Sequence, residues 1–250
     1  CIVATSGLPV AISKMVSERN AIKNYAGAHQ VFTTAIKLMA ALGVFGFVIM
    51  FFGADMIAGA IGIQKGAYAI KAIAPALLFV PLVAAFRGYF QGMKLMNPTA
   101  LSEIVEQLFR VGFGLTLAYV YMKSSLAEGA AGGSFGATAG SIAAFLIMAL
   151  IYSLNKKIID RRIEKGDNQL DASQWKLLFK ILKIAVPITI GSAIYPIMSL
   201  IDAALIPNRL MEFGYTVAEA TAAYGLLTGF CNSIIGLPQV FTQAVSISLV

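Results

Sequence analysis

Long apolar stretches, separated by short segments that hold most of the charged residues, constrain this chain more than any other feature. A helix needs about 20 apolar residues to cross the hydrocarbon core of a membrane, and these stretches have that length. They are continuous, whereas the strands of a membrane barrel alternate apolar and polar residues. Because a helix satisfies its own backbone hydrogen bonds in lipid, the sequence predicts an all-α polytopic membrane protein.

The composition excludes the soluble classes of protein. Hydrophobic residues make up 58% of the chain and charged residues 12%, against about 45–50% and about 25% in soluble globular proteins. The net charge of +7 is spread over the segments between apolar stretches, so we expect no nucleic-acid partner. The single histidine, His29, is predicted to lie solvated in a polar loop, which leaves no zinc cluster and no Ser-His-Asp set. Since no Walker A sequence occurs either, we expect no cofactor, no metal and no enzymatic activity.

Seven crossings are predicted, with ends uncertain by about 2–4 residues. They cover residues 1–16, 31–53, 72–93, 99–122, 134–154, 177–206 and 224–250. Prolines within them, such as Pro75 and Pro81, are predicted to mark kinks. The glycine-rich residues 132–136 precede a crossing and are predicted to form a loop. Most of the 19 lysines and arginines lie on the side reached at the end of the first crossing, which the positive-inside rule makes the cytoplasm.

A short repeat indicates how the crossings are organised. The motif Gly-Leu-Pro at residues 7–9 recurs at residues 236–238, and both copies lie in crossings that run toward the cytoplasm. This arrangement is typical of a parallel repeat of two helical bundles. We therefore expect residues 1–154 to belong to one lobe, residues 155–176 to form a cytoplasmic amphipathic linker, and residues 177–250 to begin a second lobe. The chain would then be an internal piece of a transporter about twice its length.

The fourth crossing opens with the signature of a helix start. Asn97 is predicted to be the N-cap and Pro98 the first helical residue. Glu103, Glu106 and Arg110 follow at i, i+3 and i+7, so they share one face of the helix. An ionisable group inside a membrane costs roughly 2.5–3.5 kcal/mol on insertion scales. Three of them on one face therefore indicate a function or a compensating ion pair.

A second arginine lies at a similar depth in the preceding crossing. Arg110 is about 18 Å along its helix, and Arg87 is about 15 Å from the same surface. Two arginines at matching depth on antiparallel helices predict a shared cavity, in which both guanidinium groups bind an anion such as a pyrophosphate. Glu103 and Glu106 would tune or gate them. In the alternative interpretation, Glu106 and Arg110, spaced i,i+4, neutralise each other within the bundle; the sequence leaves both open.

Three segments carry a likeness to a known family. They are residues 7–18 (GLPVAISKMVSE), residues 87–92 (RGYFQG) and residues 97–110 (NPTALSEIVEQLFR). They resemble the polysaccharide-transport branch of the multidrug/oligosaccharidyl-lipid/polysaccharide (MOP) exporter superfamily. Within it, the likeness is to the stage V sporulation protein B group and the related MurJ-type lipid II flippases.

The resemblance implies a two-lobe MOP/MATE-like transporter, with a central cationic cavity and alternating access. This chain would hold spans two to six of the first lobe and spans seven and eight of the second. The substrate would be an undecaprenyl-pyrophosphate-linked cell-wall precursor or polysaccharide intermediate, turned to the outer leaflet of a bacterial cell membrane. Lys14, Arg87 and Arg110 would bind it, together with Glu103 and Glu106. Membrane lipids and cell-wall synthesis proteins would be partners of a monomeric transporter.

Two rival functions remain open from the sequence. A cation-coupled multidrug exporter of the MATE type would use a lone intramembrane carboxylate and an apolar aromatic pocket. A membrane enzyme acting on polyprenyl phosphates would need acidic or histidine clusters in its loops, where the acidic residues of this chain are scattered.

Overall fold

The molecule consists of helices joined by short turns in the part of the chain that the computed structural model describes. That part comprises residues 2–61, 66–123, 125–165 and 173–231, with single positions 234, 236 and 238. No strand occurs within these ranges, which confirms the predicted all-α class. The chain divides into two compact units, residues 1–192 and 193–250, which are described separately.

The helices are numbered in chain order. They are α1 (Ile2–Ala21), α2 (Tyr25–Phe52), α3 (Ala54–Ile61), α4 (Ala67–Ile73), α5 (Ala76–Gly92), α6 (Asn97–Met122), α7 (Leu126–Lys165), α8 (Gln174–Glu212) and α9 (Val217–Gly225), followed by a π-helical segment, Leu226–Cys231.

Within the described residues, four helical segments are long and apolar enough to cross a membrane, so the chain is a multi-pass membrane protein. They are Tyr25–Phe52, Ala67–Gly92, Glu128–Glu164 and Gln174–Glu212, at the predicted second, third, fifth and sixth crossings. Helices α1 and α6 lie at the predicted first and fourth crossings and are not among these four segments. The predicted last crossing and the second copy of the repeat fall largely outside the described residues.

A proline breaks the third crossing. Helix α4 ends at Ile73, and Pro75 lies directly before α5. Proline has no amide hydrogen and clashes with the turn before it, so the helix is interrupted there as predicted. Thr138 of α7 donates a hydrogen bond from its hydroxyl to the carbonyl of Ala72 at 2.7 Å, which satisfies an acceptor beside the break. Pro81, in contrast, lies within a continuous α5.

Glycines bring α6 and α7 into close contact. A Cβ atom added at Gly136 would lie 2.5 Å from the carbonyl oxygen of Arg110, and one at Gly140 would lie 2.6 Å from that of Glu106. Small residues one turn apart allow the backbones of membrane helices to approach in this way. The prediction of a loop at residues 132–136 is therefore wrong, because these glycines lie inside α7 and serve helix packing.

A second pair of glycines packs α5 against α1. A Cβ atom at Gly88 would lie 2.8 Å from the carbonyl oxygen of Pro9, and one at Gly92 would lie 2.6 Å from Cβ of Val16. The two glycines are separated by three residues, the spacing that favours close crossing of membrane helices. This contact fixes which face of α5 points toward α1.

An aromatic cluster lies in the core of the first unit. The ring of Phe32 stacks on Tyr89 at 4.4 Å between centroids and lies 5.1 Å from Tyr152. His29 shares a 2.9 Å hydrogen bond between its Nε2 and the hydroxyl of Tyr152. The prediction of a solvated loop position for His29 is wrong, because α2 already begins at Tyr25 and carries the ring into this cluster.

Helix α7 continues well beyond the predicted end of the fifth crossing. It runs to Lys165 without interruption, so the first half of the predicted linker prolongs a membrane helix. Ile159 in this extension is buried in the same core cluster as Leu177 and Ile181 of α8. Residues 166–172 of the predicted linker lie outside the described residues.

Large apolar side chains are exposed on the outer faces of the helices. Examples are Phe52, Leu108 and Leu115, which are 76%, 65% and 67% exposed. Such surface suits lipid rather than water, since a soluble monomer rarely exposes extended apolar patches.

The second unit shows a defined helix start at α9. The Thr216 hydroxyl accepts a hydrogen bond from the amide of Glu219, whose carboxylate accepts one from the amide of Thr216. This reciprocal capping box satisfies two of the unpaired donors of the first turn.

Candidate anion-binding site

Helix α5 supplies the first arginine of the site. Arg87 lies in the last turns of α5, next to Gly88, which packs against α1. Because successive residues of a helix point in different directions, Arg87 is directed away from that contact and toward α6. Its side chain is only 17% exposed.

Helix α6 supplies the opposing side chains. It begins at Asn97 with Met96 as its N-cap, and no side-chain bond caps it. The prediction of Asn97 as N-cap is therefore wrong by one residue, while Pro98 does lie in the first turn. From this start, Ser102, Glu106 and Arg110 follow at intervals of four residues along one face. Ser102 and Glu106 face Arg87 of α5, whereas a Cβ added at Gly140 of α7 would lie 3.2 Å from Cβ of Arg110.

Glu106 joins the two arginines. Its Oε2 accepts a hydrogen bond from Nη2 of Arg87 at 2.8 Å, and its Oε1 accepts one from Nη2 of Arg110 at 2.6 Å. Each carboxylate oxygen thus serves a different guanidinium group. The structure therefore brings together the three residues on which the anion-site prediction depends, and it also contains the i,i+4 ion pair of the alternative interpretation.

The charges of the site are not equally buried. The side chains of Glu106 and Arg87 are 13% and 17% exposed, whereas those of Arg110 and Glu103 are 41% and 59% exposed. Glu103 lies 4.0 Å from Nη1 of Arg87, at the limit of an ion pair. The site is consequently buried around Glu106 and accessible at Arg110 and Glu103.

A serine that the sequence analysis missed positions Arg87. Ser102 is fully buried, accepts a 2.9 Å hydrogen bond from Nε of Arg87, and donates one of 2.7 Å to the carbonyl of Thr99. Its spacing from Glu106 was the available signal, since residues four apart share a helix face. The spacing alone could not assign this role, because it does not show which side chain of α5 faces Ser102.

Two polar atoms of the site are buried without a hydrogen-bond partner among the described residues. They are Oγ1 of Thr99 and Nε of Arg110. Arg110 therefore holds a donor that Glu106 does not use. A buried donor without an acceptor is costly, and a second anion at this position would satisfy it.

Lys14, the remaining predicted binding residue, is not joined to the cluster. It lies exposed on α1, and no hydrogen bond or ion pair links it to the four charged residues within the described part of the chain. Over the same part, no group of three His, Cys, Asp or Glu side chains lies close enough to hold a metal ion.

Comparisons with known proteins place the chain in a family. The family described as "Polysaccharide biosynthesis protein" matches residues 1–243. Stage V sporulation protein B of Bacillus subtilis (strain 168) is 26% identical over 245 residues, which cover 98% of this chain and 47% of that protein. Lipid II flippase MurJ of the same organism is 25% identical over 260 residues, which cover 99% and 48%. Uncharacterized membrane protein YabM, also from that organism, is 30% identical over 249 residues, which cover 99% and 45%.

The chain spans about half the length of these curated relatives. No solved structure matches it. The family match extends over nearly all of the chain and includes every residue of the arginine–glutamate cluster. Stage V sporulation protein B and MurJ are members of the MOP superfamily. Together with them, the family match confirms the resemblance found in the sequence: the chain belongs to the polysaccharide biosynthesis protein family of the MOP exporter superfamily.

Proposed function

We propose that this chain is part of an alternating-access transporter that turns a lipid-linked, pyrophosphate-bearing precursor of the cell wall or of a polysaccharide to the outer leaflet. Residues 1–154 would belong to its first lobe and residues 177–250 would begin its second. Arg87 and Arg110 would bind the anionic headgroup, with Glu103 and Glu106 adjusting their charge.

The observation that carries the proposal is the shared carboxylate of Glu106. Guanidinium groups from two consecutive helices lie within 2.8 and 2.6 Å of its two oxygens. A site that can hold two oxygens of one anion between two arginines has the donor arrangement that phosphoryl groups require. The planar fork of arginine favours such bidentate recognition, which the point charge of lysine does not provide.

The setting of the cluster supports a transport role. Ionisable side chains in membrane helices are rare and mark the pathways of substrates or ions. Here they lie between α5 and α6, and Arg110 and Glu103 remain accessible. The names of two relatives, a lipid II flippase and a stage V sporulation protein, agree with a substrate from the cell envelope.

Translocation of fluorescent lipid II by the full-length protein in proteoliposomes tests the proposal. The double variant Arg87→Ala, Arg110→Ala should lose most of the activity, because both donors of the headgroup site are removed. Arg209→Ala is the matched control, since Arg209 is exposed and forms a 2.6 Å ion pair with Glu212 outside the cluster. Normal translocation by the double variant would refute the site assignment.

The same preparation separates the rival functions. A cation-coupled multidrug exporter would move a lipophilic cation against its gradient and leave lipid II in place. An enzyme acting on polyprenyl phosphates would convert the labelled lipid, which chromatography of the extracted lipids would detect. Either result would contradict the proposal, which predicts that the lipid changes leaflet and is recovered unaltered.

A further inference from the structure

The carboxylate of Glu106 occupies the place where two arginines would hold a substrate anion. Its oxygens accept one hydrogen bond from each guanidinium group, at 2.8 Å from Arg87 and 2.6 Å from Arg110. We infer that the carboxylate of Glu106 competes with the headgroup for the two arginines. The headgroup must displace this carboxylate in order to bind, and the carboxylate displaces the headgroup at release. This inference rests on the proposed function, since it concerns the regulation of the same site.

The charge of the cluster supports competition. Two guanidinium groups face two carboxylates, Glu106 at hydrogen-bond distance and Glu103 at 4.0 Å. In this arrangement a diphosphate meets a site without net positive charge. When Glu106 moves away, both arginines regain a free donor, and the attraction for a dianion rises steeply because the surroundings are partly buried.

The unused bonding capacity of the arginines shows where exchange would begin. Arg87 is held by two acceptors, with its Nε bonded to Ser102 and its Nη2 bonded to Glu106. The side chain of Arg110 is 41% exposed, and its buried Nε has no hydrogen-bond partner among the described residues. An anion can therefore reach Arg110 first, while Ser102 keeps Arg87 in position. Glu106 is then replaced one oxygen at a time, so neither arginine is left unpaired during exchange.

The chain offers a matched control for this residue. Glu103 lies on the same helix, one turn away, and its removal changes the charge by the same amount. It is 59% exposed and makes no short contact with either arginine. If Glu106 competes with the anion, Glu106→Gln and Glu103→Gln should change the affinity for the anion by different amounts. If only the net charge matters, both variants should change this affinity equally.

Binding of inorganic pyrophosphate to the full-length protein in detergent, measured by titration calorimetry, tests the inference. Charge-assisted hydrogen bonds are among the strongest in proteins, so loss of the competing pair in Glu106→Gln should tighten binding by about tenfold or more. Glu103→Gln should also tighten binding, because Glu103 lies 4.0 Å from Arg87, but by less than about threefold, since exposed charges interact weakly. Glu106→Asp keeps the charge on a shorter side chain that cannot span both arginines, and it should lie between the wild type and Glu106→Gln.

Release provides a second measurement, with undecaprenyl pyrophosphate in nanodiscs as the lipid form of the probe. Without the competitor, Glu106→Gln should hold this lipid more tightly and translocate fluorescent lipid II more slowly. A lower KM together with a lower kcat is the expected pattern. A purely structural role of Glu106 predicts a loss of protein stability with no gain in affinity.

The outcomes separate this inference from the proposed function. Equal affinities of wild type, Glu106→Gln and Glu106→Asp, with binding abolished by Arg87→Ala, Arg110→Ala, would overturn the competitor role and leave the binding site intact. Equal gains in Glu106→Gln and Glu103→Gln would also overturn it. Binding that persists in the double arginine variant would overturn the proposed site itself.

Discussion

Packing of α7 against α6 sets the position of the charged cluster, and a single methyl group should disturb it. In Gly136→Ala the new Cβ would lie 2.5 Å from the carbonyl oxygen of Arg110 and 2.6 Å from Cα of Gly114. Ordinary contacts of a Cβ begin at 3.4 Å, so α7 must withdraw by about 1 Å. Both obstructing atoms belong to backbone, which cannot rotate away as a side chain can. Overpacking of this kind costs about 1–3 kcal/mol.

Gly133→Ala provides the control within the same helix. Its Cβ would meet only Cβ of Ala118, at the ordinary distance of 3.8 Å. Replacing glycine by alanine in a helix gains about 1 kcal/mol, so this variant should be slightly stabilised. The gain from replacing glycine is common to both variants, so they should differ by the overpacking cost, about 1–3 kcal/mol in the free energy of unfolding.

Unfolding of the full-length protein in detergent, followed by circular dichroism, measures this difference. Translocation of lipid II measures its consequence, because a shift of α7 displaces the backbone of Arg110. We expect Gly136→Ala to be less stable and less active than Gly133→Ala. Equal stability of the two variants would refute the packing argument, and lower stability with full activity would separate packing from the site.

Further predictions concern the buried serine, a helix end and a helix start. Ser102→Ala leaves a buried guanidinium nitrogen of Arg87 without its acceptor and should lower the free energy of unfolding by about 1–3 kcal/mol. Ser153 is exposed, so Ser153→Ala should change this free energy little, and denaturant titrations compare the two variants. Lys94 has a φ of 61° after α5, so Lys94→Gly should stabilise the protein by up to about 1 kcal/mol, and a lower melting temperature would contradict this. Hydrogen bonds from Thr216 hold the pKa of Glu219 below its usual value. The cap is therefore fully formed above the pKa of an unfolded glutamate and is lost as the pH falls through the lowered pKa. The protection of α9 amides from exchange, relative to their intrinsic exchange rate at each pH, should fall at acidic pH in the wild type and lose this dependence in Glu219→Gln.

The sequence was sufficient to predict that these charged side chains lie close together, because periodicity and depth act along single helices. The spacing of Glu103, Glu106 and Arg110 placed them on one face, and counting from the loop placed Arg87 at a matching depth. The sequence could not show that the carboxylate of Glu106 accepts a hydrogen bond from each of the two arginines. That outcome depends on the rotation of α5 about its axis, which Gly88 fixes by contact with α1.

The wrong predictions share a physical cause. Glycines at residues 132–136 suggest a loop when read alone, but in α7 they permit contact with α6. His29 looks solvated between polar neighbours, yet α2 starts at Tyr25 and directs the ring toward Tyr152. In each case the partner lies far away in sequence. Lys14, assigned to the site from the family resemblance alone, lies exposed on α1, and its role stays a prediction.

A structure of the full-length protein with undecaprenyl pyrophosphate bound is the most direct test of the two-arginine site. The account predicts that diphosphate oxygens lie within hydrogen-bond distance of the guanidinium groups of both Arg87 and Arg110, with the carboxylate of Glu106 displaced from them. A diphosphate bound elsewhere, with Glu106 still bridging the two arginines, would contradict it.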